Sequence, residues 1–174
     1  SMRATGSDMR AKLAFEFLIL TAARTSEAIQ ATWAEIDLAA KLWTVPADRM
    51  KAKRVHRVPL SDRCIEILKE AKTLSGKSDF VFPGRSLKLP LSNMTLLTIL
   101  RRMKVHSTTH GFRSSFRDWA AEKTNFPREL AEMALAHTIE NKVEAAYRRG
   151  DLLEKRAEMM QAWSGFVLVD KMVE

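Results

Sequence analysis

Cysteine is nearly missing from this chain of 174 residues: Cys64 stands alone, so no internal disulfide can form and a reducing compartment, the cytoplasm, fits best. No run of about 18 apolar residues offers a membrane span. Residues 1–12 hold Arg3 and Arg10 but lack the apolar stretch of a secretory signal. Neither an internal repeat nor a low-complexity tract is present. Tyrosine also occurs once, as Tyr147. Acidic residues are the minority among the charges: 21 Asp and Glu face 29 Lys and Arg, leaving a net charge of +8 and a pI near 9.9. That balance attracts polyanions at long range and makes nucleic acid the leading partner class, although a basic surface also serves plain solubility.

What is present describes a folding chain. The 46% hydrophobic and 29% charged content is ordinary for a globular domain, and at roughly 100–200 residues per domain the length allows one domain. Ser1-Met2 reads as an added pair followed by an internal start, so upstream domains are expected to be missing. Met9, Leu13, Phe17 and Leu20 recur at helical spacing between Ser7 and Ala23 and predict an amphipathic helix, with a second over Thr25 to Trp33. From Ile36 to Leu60 the pattern turns to short β-favouring runs, Leu42 to Val45 and Val55 to Leu60, separated by a basic turn over Ala47 to Arg54. Ser61 is the expected cap of a helix carrying Cys64, Ile67, Leu68 and Ala71 on one side. Phe80-Val81-Phe82 is a short run between turns, and the rest reads as helices. One is capped by Ser92 and runs through Arg102, one is capped by Thr109 and runs to about Glu122, and one has Pro127 as its first residue. Two more are expected between Asn141 and Val169. The expected class is mainly α (α+β), a helical bundle with a small antiparallel sheet near the N-terminal third.

Four segments carry candidate chemistry. On the helix after Thr109, Phe112, Phe116 and Trp119 fall on one side and His110, Arg113 and Arg117 on the other. The second set is an anion site if the helix N-terminus is free, and a solvated basic stripe otherwise. Tyr147, followed by Arg148 and Arg149, is half-buried packing or a phosphate-attacking nucleophile whose phenolate needs nearby cations. Arg24 stands between two predicted helices with Glu27 three residues later, an ordinary ion pair or a held guanidinium. The basic turn offers Lys51, Lys53 and Arg54, and a lysine there can reach into a groove and deliver a proton. His106 and His110 are four apart, but the glutamate of a zinc-protease helix and a third ligand are both missing, so no metal is expected.

In order, Ala-Ala-Arg24-Thr-Ser-Glu27, Lys51 eight residues before Pro59, His110-Gly-Phe-Arg113, Leu-Ala-His137 and Tyr147 resemble the catalytic domain of the tyrosine recombinases, the phage integrase family, from about Phe15 to Trp163. Ala22 and Ala23 stand where that family often has glycine, and Gly111-Phe112 replaces its frequent Asp-Leu. Both departures point to a subgroup resembling prophage and genomic-island integrases.

The resemblance implies a single C-terminal catalytic domain that cleaves and rejoins DNA at specific sites without ATP or another cofactor. Arg24 and Arg113 would clamp the scissile phosphate. Tyr147 would attack phosphorus to form a 3′-phosphotyrosyl bond and release a 5′-hydroxyl. Lys51 would protonate the leaving oxygen, with Lys53 as the alternative, and His110 would accept or position the tyrosine proton. His137 would donate to the phosphate, and Glu27 would orient Arg24 or His110. Lys53, Arg54, Arg117 and Arg148 are the expected DNA contacts. The implied partners are double-stranded DNA attachment sites, further copies of the chain in a homotetramer on DNA, and a directionality factor. The apolar stripe Leu153, Ala157, Met160, Trp163 and Val167 packs on its own core or on a neighbouring protomer, with exchange expected in the DNA-bound assembly and a monomer in free solution. Type IB topoisomerase-like activity and a non-catalytic DNA-binding module are the rival readings.

Overall fold

The computed structural model describes residues 6–104, 108–137 and 150–169. Helix α1 (Gly6–Thr21) runs through the middle of the molecule. It touches α2 (Thr25–Ile29), α3 (Asp62–Ser75), α4 (Asn93–Arg102) and α7 (Leu153–Val169). Ala11, Leu13, Ala14, Phe15, Phe17, Leu18 and Leu20 are all buried and Met9 is exposed. The helix is therefore apolar nearly all round, as a central helix must be, and the amphipathic reading is corrected.

Helix α2 ends at Ile29, short of the expected Trp33. The chain instead extends so that the Ala31 carbonyl accepts from Val81 N–H (2.9 Å) and Trp33 N–H donates to the Asp79 carbonyl (2.9 Å). Phe80-Val81-Phe82 supplies that partner, and Val81 and Phe82 are completely buried. A 3-10 turn (Trp33–Glu35) then leads into a three-stranded antiparallel sheet in the order β1 (Ile36–Asp37), β2 (Leu42–Val45), β3 (His56–Pro59). Its register pairs Trp43 with Val58 and Val45 with His56. Trp43, Val45 and Val58 face the core.

Ser61 caps α3 as expected, its hydroxyl accepting from Cys64 N–H at 3.3 Å. Cys64, Ile67, Leu68 and Ala71 are buried along one side. Burial pushes the Cys64 thiol up to about 11, so it is an inert packing group. Helix α5 (Gly111–Lys123) begins after Thr108 rather than at a Thr109 cap: Gly111 N–H donates to the Thr108 carbonyl (2.9 Å) and hydroxyl (3.1 Å). The Thr109 hydroxyl accepts instead from that of Thr25 (2.8 Å), joining this turn to α2. Pro127 sits one residue before α6 (Arg128–Ala134).

A second core forms where α5, α6 and α7 meet. Phe116, Trp119, Trp163 and Phe166 stack with ring centroids 5.2–6.0 Å apart over Leu130, Leu135 and Met160. Trp163 Nε1 donates to the Ile19 carbonyl at 2.9 Å, so α7 packs on its own chain. The buried stripe of α7 comprises Arg156, Met159, Met160, Trp163 and Ser164, whereas Ala157, expected in it, is exposed. The earlier of the two helices expected after Asn141 lies largely outside the described residues. No helix among the described residues is long and apolar enough to cross a membrane.

Candidate active site

Two adjoining clefts open between the ends of α1 and α6, the start of α5 and the turn that precedes β3. The larger, about 830 Å³, is lined by Arg24, Lys51, His110, Arg117, Arg128 and His137 together with Glu129 and Glu132. The smaller, about 330 Å³, shares Arg24 and His110 and adds Thr25, Ser26 and Arg113. Six basic or imidazole groups against two carboxylates make the larger cleft an anion site.

The chain reaches it through a tight reversal. Thr21 bonds back to the Phe17 carbonyl (2.7 Å), and Ala22 takes φ 49°, the left-handed region that glycine favours. This is the position where alanine replaces the glycine common in the resembling family. Arg24 follows and opens α2. The buried Glu27 carboxylate accepts Arg24 N–H at 2.9 Å and its Nη1 at 2.8 Å, so one side chain fixes both the backbone and the head of Arg24. Arg24 itself remains open to the cleft.

Arg49, not among the predicted site residues, holds the next wall. Its Nη2 donates to the Glu27 carbonyl at 2.6 Å and its Nη1 pairs with Glu35, whose other oxygen accepts from Trp43 Nε1 at 2.9 Å. Met50 is buried behind it. Lys51, next in the chain, lines the cleft; Lys53 and Arg54 follow on the same turn, exposed and outside that lining.

Arg113 is the most constrained cation. It is 5% exposed and lies on the buried side of α5, so a fully solvated stripe of His110, Arg113 and Arg117 is not what the helix presents. Its Nη1 donates to the Ala22 carbonyl (2.5 Å) and its Nη2 to the Leu135 carbonyl (2.7 Å), buried acceptors at the C-terminal ends of α1 and α6. A cation at two helix C-termini is favoured by both dipoles. Burial lowers its pKa to about 10, the Arg24 charge adds to that and Glu27 opposes it. Arg113 stays charged at neutral pH, close to a second cation, with its buried Nε unpaired among the described residues. An anion would relieve both conditions.

His137 arrives on the turn that ends α6. Ala136 takes φ 52°, Ala136 N–H donates to the Met133 carbonyl (3.1 Å) and His137 N–H to the Glu132 carbonyl (2.9 Å), a Schellman turn with alanine at the left-handed position. The ring lies with Nε2 3.4 Å from Arg113 Nη2 and Nδ1 2.5 Å from Glu132 Oε2. Arg117 pairs with the other Glu132 oxygen at 2.9 Å. Glu132, Arg128 and Arg49 were not legible as site residues: Glu132 and Arg128 line the cleft and Arg49 supports it from behind through Glu27 and Glu35, and only Glu132, five residues before His137, had a local cue.

Tyr147, Arg148 and His106 lie outside the described residues. Beyond them the chain is tied at Asp151, which takes a forked pair from Arg57 (2.8 and 3.1 Å) and a bond from the buried Arg156 (3.0 Å). Arg156 also donates to the Arg57 carbonyl at 2.7 Å. Burial alone would raise the Asp151 pKa, but the Arg57 hydrogen bonds and the two guanidinium charges outweigh it and hold the carboxyl below its usual value. Among the described residues no group of three or more His, Cys, Asp or Glu is arranged to hold a metal ion.

This arrangement of helices, small sheet and basic cleft has the fold of the recombinases. It superposes on the XerA recombinase with a TM-score of 0.62 at 14% identity, covering 98% of this chain and 60% of that one. On the XerH site-specific recombinase bound to its difH substrate the TM-score is 0.55 at 17% identity, covering 84% and 48%. The chain belongs to the phage integrase family, whose model matches residues 2–152. Prophage integrase IntA of Escherichia coli (strain K12) is 40% identical over 170 residues, 96% of this chain and 41% of that protein. Prophage integrase IntZ of the same strain is 39% identical over 153 residues, 87% and 38%. The chain thus spans about two-fifths of the length of these relatives.

Proposed function

We propose that the chain is the catalytic domain of a site-specific integrase that breaks and rejoins DNA through a covalent tyrosine intermediate. The observation that carries this reading is the convergence of Arg24, Arg113, His110, His137 and Lys51 on adjoining clefts in a chain of the integrase family. Arg24 and Arg113 are planar donors suited to the non-bridging oxygens of a phosphodiester, and their attraction grows as charge accumulates in the transition state. The Tyr147 oxygen attacks phosphorus and forms the 3′-phosphotyrosyl bond. The bond to the 5′ oxygen breaks, and Lys51 supplies the proton that makes it a hydroxyl. His110 takes or positions the phenol proton, and His137 donates to a phosphate oxygen. The phosphoester energy is kept, so religation needs no nucleotide. Two guanidiniums supply the charge stabilisation that metal ions give in other phosphoryl-transfer sites.

Lys53, Arg54, Arg117 and Arg148 are the further cations expected to contact the DNA backbone. Exchange between two duplexes calls for four copies, with α7, packed on its own chain here, docking on a neighbouring protomer in the DNA-bound assembly, and a directionality factor would bias integration against excision.

The test is trapping on nicked duplexes that prevent religation. The parent chain is expected to form a covalent protein–DNA adduct, and Tyr147→Phe to form none. Adducts that relax supercoils without joining new partners would favour the topoisomerase-like reading. Binding with no adduct under any assembly condition would leave a DNA-binding module.

A further inference from the structure

Glu132 makes more of the cleft than its ion pairs with Arg117 (2.9 Å) and, more distantly, Arg128 (4.0 Å) indicate. It grips His137 at two points. Its carbonyl accepts the His137 backbone N–H at 2.9 Å, and its Oε2 lies 2.5 Å from Nδ1 of the ring. On the opposite edge of the imidazole stands Arg113 Nη2, 3.4 Å from Nε2. A guanidinium can only donate, so Nε2 must accept. A neutral ring satisfies both neighbours in a single tautomer, with the proton on Nδ1 and directed at the Glu132 carboxylate.

We propose that Glu132 is a positioning residue: it accepts the Nδ1 proton of His137, holds Nε2 toward Arg113 and the phosphate position, and with its second oxygen keeps Arg117 in the same wall. The catalytic consequence rests on the recombinase reading of the cleft. When a phosphate oxygen arrives beside Arg113, the ring takes up a proton from solvent water at Nε2 and offers that N–H as a hydrogen bond to the oxygen, keeping the proton, while Nδ1–H stays on Glu132. Without the carboxylate the ring is free to turn or to change tautomer. The carboxylate–histidine pairs that orient imidazoles in metal sites work by the same physics.

Long-range proton–nitrogen spectra of the His137 ring, assigned by loss of its signals in His137→Ala, test this directly above the pH where the ring is charged. The parent is expected to carry the proton on Nδ1. Glu132→Gln, whose amide oxygen can still accept, should keep that pattern, and Glu132→Ala should lose it. A parent ring protonated on Nε2 overturns the proposal even if Glu132→Ala does not fold, as does an unchanged pattern in a folded Glu132→Ala. On nicked duplexes, adduct formation should fall on the order of tenfold or more in Glu132→Ala and be largely rescued in Glu132→Gln. Equal rates in all three overturn the catalytic consequence. If the parent forms no Tyr147-dependent adduct, the recombinase reading fails while the spectra still decide the role of Glu132.

Discussion

Arg113 does two things at once, and they can be separated by measurement. Its guanidinium ends two helices by bonding the Ala22 and Leu135 carbonyls, and the charge left over faces the cleft. Arg113→Ala strands two buried carbonyls, at about 1–3 kcal/mol each, so urea denaturation should show a loss of roughly 2–6 kcal/mol. His110 is exposed and its side chain makes no such ties among the described residues. His110→Ala should change stability by no more than about 0.5 kcal/mol while slowing adduct formation. The two left-handed alanines make a further case. An L-residue there costs roughly 1–2 kcal/mol, offset by the roughly 0.4–1 kcal/mol that glycine adds to the entropy of the unfolded chain. Ala136→Gly is therefore expected to stabilise by about 0.5–1 kcal/mol, and Ala120→Gly, inside α5, to destabilise by at least that much.

Strand β3 is where the sheet meets the helices behind the cleft. His56 on this strand donates from Nε2 to the Ala134 carbonyl at 3.2 Å. Burial foremost, then the Arg156 charge, lowers its pKa from 6.5 to about 4, with Glu27 and the Ala134 bond opposing. The unfolded chain thus binds more protons than the folded one between these values. Stability is complete above pH 6.5 and is lost as pH falls toward 4, at a slope of at most about 1.4 kcal/mol per pH unit. Denaturation midpoints followed from pH 7 to 4 should show this fall, and His56→Gln should flatten it. Arg156 guards the same junction: it joins the start of α7 to β3 and fixes where the chain re-enters after residues 138–149.

The excess of positive charge acquires direction only when the chain is folded. Arg24, Lys51, Arg117 and Arg128 come from four separate parts of the sequence and line one opening. On the proposed reading, duplex DNA held at that opening would release counterions, and affinity should then fall steeply and log-linearly with salt. Arg128 is 79% exposed, and the ion pair it makes with Glu132 is long, 4.0 Å. Arg128→Ala should weaken binding to all sequences about equally and reduce the salt slope by about 1, measured by fluorescence anisotropy over a salt series.

Helix α3 with its Ser61 cap, the pairing of β2 with β3, the three-residue step from Arg24 to Glu27 and the ordered motifs that place the chain in its family were all readable from the amino-acid order. Each depends on neighbours within a few positions, on alternation along two runs joined by one turn, or on residue identity alone. Folding decided the rest. Arg113 is buried because its acceptors lie 91 and 22 residues away. Lys51 rather than Lys53 lines the cleft, beside an anchor built from Arg49, Met50 and Glu35. Glu132 meets His137 because a left-handed alanine bends the chain back on α6. Short-range capping and periodicity leave their mark on consecutive residues, whereas the aim of a charged side chain depends on which distant carbonyls and carboxylates packing brings within about 3 Å.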